Sequence, residues 1–267
     1  MTDKICDVRD NVMKHKPLIH CITNPISINQ CANTILSVGA KPIMAEHPKE
    51  VYEITDSSDA LMLNIGNITD VRMESMMISL GRAKEKGIHS LLDIVGIACS
   101  NLRREYIFAL LKMSAISVIK GNYSEIVALY DEKYFSPGVD SEGSLDACYV
   151  TKAATELALK YQTVILATGK TDVVTDGKRI VYIRNGTSQL SCVTGTGCML
   201  GALCSAFMTS ATPMDATIYA CSYFDICGEL AKTDKGNGSF MVNLIDRLST
   251  LTREEILKYL NTEEKIR

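Results

Sequence analysis

The 267-residue chain contains no tryptophan, and aromatic residues make up 6% of it. A surface that stacks nucleic-acid bases needs exposed rings, so this composition speaks against one. No excess of positive charge compensates: 28 Lys and Arg stand against 31 Asp and Glu, for a net charge of -3. Neither nucleic acid nor an anionic membrane surface is therefore expected as a partner. Uncharged apolar runs of about 18 residues, the minimum for a membrane-spanning helix, are also missing. The longest quiet stretch, 194–213, is too rich in Gly, Ser, Thr and Cys to serve as one. The opening MTDKICDVRDNVMKHKP is polar and charged and lacks the apolar core of a secretion signal, so a soluble cytoplasmic protein is expected.

Cysteine is abundant, but the spacings that would give it a structural task are missing. The ten cysteines, at 6, 21, 31, 99, 148, 192, 198, 204, 221 and 227, include no CxxC pair. The four histidines, at 15, 20, 47 and 89, do not complete a zinc set. Without a secretion signal a disulfide framework is not expected either. Most of these thiols read as small buried hydrophobes.

Short apolar runs alternate with helical patterns. ALMLNIG (60–66), HSLLDIV (89–95), SVIKGN (117–122) and TVILATG (163–169) read as strands. Helices are expected over 70–86, 102–113, from 124 onward, and over 145–161. Near-continuous apolar strands of this kind suit a mostly parallel sheet covered on both faces. TDVVTDGKRIVYIRNG carries two β-rich runs around Asp176-Gly177, the pattern of a type I′ hairpin. Helices are then expected over 198–211, 214–232, 239–249 and 253–264, and the polar segment 133–144 reads as a long loop. No repeat or composition break divides the chain, so one α/β domain over 1–267 is expected.

Two phosphate-binding patterns fail on inspection. Gly169-Lys170-Thr171 resembles the end of a Walker A loop, but position 164, where that loop needs glycine, is valine, and strand-like residues follow. Gly195-Thr196-Gly197 could open a dinucleotide fingerprint, but position 200 is leucine and no βαβ unit follows.

What survives is more general. Gly195, Thr196 and Gly197 place free backbone N–H groups at the start of an uncharged helix, a ready site for an anion. Cys198, just inside that helix, is a candidate proton acceptor or nucleophile as well as a candidate packing residue. The helix dipole is expected to lower its pKa and bound anions to raise it again. In GNYSE, Asn122 and Glu125 have capping-box spacing, and Glu125 is also a candidate Mg2+ ligand beside phosphates. Asp93 ends a strand in LLDIVG and is a second candidate metal carboxylate. His20, among apolar neighbours, reads as a hydrogen-bonded core histidine.

The segments PLIHCITNPISINQCAN, GAKPIMAEHPKEV, LMLNIGNI, SVIKGNYSEI, LATGKTDVVTDG, VTGTGCMLG and DKGNGSF stand in order between Pro17 and Phe240. Together they resemble the hydroxyethylthiazole kinase family. The resemblance implies a ribokinase-like α/β fold and transfer of phosphate from ATP, with Mg2+, to the alcohol of a thiazole used in thiamine synthesis. By the same resemblance Met44 and Asn24 would lie beside the thiazole, and Gly195 would face the substrate hydroxyl. Lys120 and Thr168 would contact ATP, Glu125 and Asp93 would serve the metal, and Cys198 would take the place of the aspartate found in the wider superfamily. It also implies a homotrimer with sites at subunit boundaries. Two alternatives remain open at this stage: a related kinase for a pyrimidine or pyridoxal alcohol, and a catalytically weak thiazole-binding sensor. The chain departs from the family's Asp-Pro-Val-Gly at Asp93-Ile94-Val95-Gly96-Ile97. Ile94 in place of proline is expected to loosen the turn, and Ile97 to narrow the phosphate pocket.

Overall fold

A computed structural model describes residues 1–134 and 145–266. Residues 135–144, most of the polar segment read as a loop, lie outside the described residues. In chain order the elements are α1 (Thr2–His15), β1 (Leu18–Ile22), α2 (Ile28–Ser37), β2 (Lys41–Ile43), α3 (Val51–Ser57), β3 (Ala60–Asn64), α4 (Asp70–Lys86), β4 (His89–Asp93), α5 (Asn101–Lys112), β5 (Val118–Asn122) and α6 (Tyr123–Tyr130). They continue with α7 (Ala147–Tyr161), β6 (Val164–Thr168), β7 (Asp172–Thr175), β8 (Arg179–Ile183), α8 (Thr196–Phe207), α9 (Pro213–Leu230), α10 (Asn237–Thr250), α11 (Arg253–Tyr259) and β9 (Thr262–Ile266).

The strands form one sheet in the order β2-β1-β3-β4-β5-β6-β7-β8-β9. The six from β2 to β6 are parallel, and β7, β8 and β9 add on antiparallel. The four strands read from apolar runs are all present, as is the parallel sheet. Helices begin where the chain supplies caps. Thr69 accepts from the Arg72 N–H at the start of α4, and Gly87, at φ +74°, ends it in the left-handed region. Thr212 caps α9, with Pro213 at its first position.

Alternation along the buried strands sorts their residues between two cores. Ala60, Met62, Leu91, Val118, Val164 and Leu166 face the cluster formed with α1, α2, α8, α9 and α10. Leu61, Leu63, Leu92, Ile119 and Ile165 face the cluster formed with α4 to α7. Seven cysteines are buried, at 6, 21, 31, 198, 204, 221 and 227, and all ten are free thiols. The reading of most of them as packing residues holds. No helix of the described residues is long and apolar enough to cross a membrane.

Two expectations are corrected. The β7–β8 connection is a hairpin but not type I′, because Gly177 has φ +90° while Asp176 is not in the left-handed region. The Asp176 carboxylate instead accepts the N–H groups of Lys178 and Arg179, at 2.9 and 2.8 Å, which builds a longer loop around an aspartate turn. The helix expected over 253–264 stops at Tyr259, and residues from Thr262 pair with β8. An open sheet edge offers that segment backbone partners that a solvent-exposed helical turn would not.

His20 is wholly buried, with Nδ1 2.9 Å from Thr55 Oγ1 and Nε2 2.9 Å from the Ala45 carbonyl oxygen. It is the hydrogen-bonded core histidine read from the sequence, and burial lowers its pKa. The unfolded chain therefore binds the proton more readily, and His20 stabilises the fold fully only above about pH 6.5. Melting measured from pH 7 to 5.5 should show the native protein losing stability relative to His20→Gln, by at most about 1.4 kcal/mol per pH unit. Parallel pH profiles would contradict this.

Candidate active site

The strand order reverses about β1: the chain moves outward to β2 and returns to place β3 on the other side. In open α/β sheets the crevice beyond the carboxyl ends of the strands at such a point collects ligands. Asn24, just past β1, and Asn64, the last residue of β3, stand on its two sides. Parallel register then aligns Asn64 with Asp93 and Asp93 with Lys120 across β3, β4 and β5. Each lies an even number of residues from a strand position facing α8, so all three point to the α8 side.

α8 completes the site from above. Gly195, at φ +93°, is its N-cap and has no side-chain cap bond. A Cβ at Gly195 would lie 3.4 Å from Ser27 Cβ, so the turn sits against the start of α2. The Thr196 hydroxyl turns back to the carbonyls of Leu190 and Val193, at 2.7 and 3.2 Å, and does not cap the helix. Lys120 Nζ is 3.5 Å from where a Cβ on Gly197 would sit. The uncapped helix start and a lysine ammonium thus converge on one place, an arrangement suited to an anion. At Gly201 a Cβ would meet Met62 Cε at 2.9 Å, so glycine there lets α8 lie close over β3.

Beneath the helix is a connected polar group. Cys198 Sγ receives the amide N–H of Asn64 at 3.2 Å and of Asn24 at 3.4 Å. Asn64 Nδ2 also donates to Asp93 Oδ2 at 3.0 Å, and Lys120 Nζ donates to the same oxygen at 3.1 Å. Asp93 is 1% exposed and Lys120 3%. Burial works to lower the Lys120 ammonium, but Asp93, Cys198 and Glu125 outweigh it and hold the group above its ordinary value.

The expected lowering of Cys198 is not what the structure shows. Burial and the Asp93 carboxylate raise it, and Ser27, Lys120 and Asn24 offset only part of that. A helix dipole stabilises a thiolate less than burial beside a carboxylate disfavours it. Cys198 rests as a neutral thiol.

Glu125 caps α6 as its spacing predicted, with Asn122 Oδ1 accepting the Glu125 N–H at 2.9 Å and Glu125 Oε2 accepting the Asn122 N–H at 2.8 Å. Its Oε1 also accepts the Gly96 N–H at 2.8 Å, so one carboxylate joins the turn after β4 to the turn after β5. Burial and Asp93 push its carboxyl up to about 7 in spite of these donors. Asp93 Oδ1 is buried and has no hydrogen-bond partner among the described residues. A hard cation or its water would satisfy that orphan oxygen, so the donor set fits Mg2+.

Thr168 ends β6 opposite Asn122 and donates to the Gly121 carbonyl at 3.4 Å. Met44 follows β2, half-buried, and the carbonyl of its neighbour Ala45 is held by His20. Strands β2 and β6 are five strand spacings apart, about 24 Å, so Met44 and Thr168 occupy opposite ends of one crevice.

The turn after β4 overturns two expectations. Ile97 is fully buried in the core on the other face of the sheet and does not narrow the crevice. Ile94 lies in the same core, and its N–H donates to the Lys120 carbonyl at 2.9 Å, a bond that proline cannot make. Arg103 adds bonds to the carbonyls of Val95 and Gly66, at 3.0 and 2.7 Å. The turn is pinned, not loosened. Asn64 was not singled out in the sequence; its only signal is a polar residue closing an otherwise apolar strand in ALMLN.

Comparison with known proteins agrees with this architecture. The model of the hydroxyethylthiazole kinase family matches residues 10–254. Hydroxyethylthiazole kinase 2 of Clostridium botulinum (strain Langeland, type F) is 43% identical over 261 residues, covering 94% of this chain and 97% of its own. The solved hydroxyethylthiazole kinase of Pyrococcus horikoshii superposes with a TM-score of 0.90 at 34% identity, covering 98% of this chain and 99% of its own. A Staphylococcus aureus pyridoxal kinase, solved with AMP-PCP and pyridoxal, superposes at 0.66 with 14% identity over 94% of this chain and 99% of its own, a likeness of fold alone.

Lys120 is the buried cation that balances Asp93. Lys120→Met should destabilise the protein by about 3–5 kcal/mol in urea unfolding, because it leaves a buried carboxylate unpaired. Adding Asp93→Asn should recover part of that loss; an unchanged unfolding midpoint in the single variant would contradict the pairing.

Proposed function

The chain belongs to the hydroxyethylthiazole kinase family, and on that footing we propose that Cys198 serves as its proton acceptor when the γ-phosphate of ATP passes to the hydroxyl of 4-methyl-5-(2-hydroxyethyl)thiazole. The family is one of phosphotransferases of thiamine biosynthesis with a ribokinase-like fold, and its members use ATP. The observation that carries the reading is the convergence of the uncapped α8 start, Lys120 and the Cys198 sulfur on one point of the crevice.

The alcohol lies at the β1–β2 end of the crevice, beside Asn24 and Met44, with its hydroxyl toward Gly195. The nucleotide phosphates lie toward Lys120 and Thr168. Once the thiol has lost its own proton to solvent, the alcohol oxygen forms a bond to phosphorus as the bridging P–O bond to ADP breaks, and the alcohol proton passes to the Sγ thiolate. In a loose transition state most of the stabilisation comes from positioning and charge neutralisation. The N–H groups of Thr196, Gly197 and Cys198 and the Lys120 ammonium supply it, preorganised and partly shielded from water. Asp93 and Glu125 would hold Mg2+, through water in the case of Glu125, and a bound Mg2+ neutralises phosphate charge. Support for a homotrimer with sites at subunit boundaries comes from the open β2 edge beside α2, where Ile26 is 61% exposed and Leu36 55%.

ADP release from MgATP should rise with hydroxyethylthiazole and not with hydroxymethylpyrimidine or pyridoxal. Stimulation by either of the others alone would overturn the substrate assignment. Cys198→Asp should retain or raise turnover, while Cys198→Ser should lower it. Because the native thiol is raised, kcat should climb about tenfold per unit between pH 6.5 and 8.5, and Cys198→Asp should flatten the profile. A dead Cys198→Asp enzyme, or a flat native profile, would count against the thiol as base. Light scattering should give a mass of three chains; a fully active monomer would remove the boundary sites.

A further inference from the structure

Both amide donors to the Cys198 sulfur lead back to one side chain. Asn64 is wholly buried. Its Nδ2 donates to Cys198 Sγ at 3.2 Å and to Asp93 Oδ2 at 3.0 Å, which uses both amide protons. Its Oδ1 accepts the Gly66 N–H at 2.9 Å and Asn24 Nδ2 at 3.2 Å. The backbone bond to Gly66 prevents the amide from flipping, since a flip would set two donors against each other. Asn24 is fixed in turn, because its Oδ1 accepts the Ser27 N–H at 3.2 Å and so only its Nδ2 can face the sulfur and Asn64.

We propose that Asn64 is the positioning residue of the reaction: with Asn24 it holds the Cys198 sulfur between two amide donors, keyed to Asp93 by its second proton. A sulfur that receives two N–H bonds is oriented, and the thiolate that must form before the alcohol proton can pass to Sγ is met by donors already in place. The thiol proton is directed away from both amides. With both amide protons and its carbonyl oxygen already engaged, Asn64 acts through Cys198.

This inference rests on the reading of Cys198 as proton acceptor, and a double-variant cycle separates the two. Turnover is measured with saturating MgATP and hydroxyethylthiazole for Asn64→Ala in the native and Cys198→Ala backgrounds, with thermal melting to confirm that each protein is folded. Asn64→Ala should lower kcat at least tenfold in the native background, change KM for the thiazole less than threefold, and lower kcat less than twofold in the Cys198→Ala background. The isosteric Asn64→Asp keeps the acceptor for Gly66 but turns an oxygen toward Sγ and Asp93, and should lower kcat at least as much. Equal loss in both backgrounds would assign Asn64 to Asp93 or to the fold and overturn the proposal, as would native turnover in Asn64→Ala. If Asn64→Ala fails to fold, the Asn64→Asp pair carries the same comparison. Cys198→Ala with native turnover would instead sink the underlying reading of the thiol.

Discussion

The buried pair of Asp93 and Lys120 is the interaction around which the site is arranged. Their register across β4 and β5 brings the ammonium within 3.1 Å of the carboxylate, and neither group meets solvent to any extent. A buried carboxylate without a cation is strongly disfavoured, so Lys120 cannot leave Asp93 without a replacement. The pair also sets the electrostatics of its surroundings. Asp93 keeps Lys120 charged under the start of α8, and it pushes both Glu125 and Cys198 upward. The Lys120 ammonium that makes the crevice attractive to phosphate favours the thiolate, and burial with the Asp93 carboxylate overrides it to hold the thiol neutral at rest.

Around that pair the turns are braced by backbone. Ile94 donates to Lys120, Gly96 donates to Glu125, and Glu125 returns to Asn122, so the turn after β4 and the turn after β5 form one hydrogen-bonded unit. Proline at position 94 would gain rigidity from its ring and lose the bond to β5. Isoleucine gives up the ring and keeps the bond, while its side chain fills the core against Gly121, whose missing Cβ would lie 2.9 Å from Ile94 Cγ1. The departure from the family pattern is thus absorbed on the side of the sheet away from the chemistry.

The division of labour along the crevice follows from strand order. Met44 and Asn24 follow β2 and β1, Lys120 and Thr168 lie in β5 and β6, and Cys198 sits over the strands between them. A small apolar alcohol at one end and a nucleotide at the other would meet beneath the α8 N-terminus. That α8 is nearly all apolar and contains Gly197 and Gly201 explains how it can approach the sheet so closely.

The sequence by itself determined the elements whose signals are local. Apolar runs marked β3 to β6, the capping box of α6 was legible in Asn122 and Glu125, and the glycine turn before Cys198 read correctly as an uncapped helix start. The spaced motifs were enough to point to the family. Tertiary structure alone decided which strand ends became neighbours. Alternation tells which face Asn64 occupies but not that Asp93 lies beside it, because pairing between strands 29 residues apart is set by the packing of the whole sheet. The same reason covers the direction of the Cys198 shift, the side taken by Ile97, and the strand formed at Thr262. Each depends on a partner brought close by the fold, and no local pattern of residues records that partner.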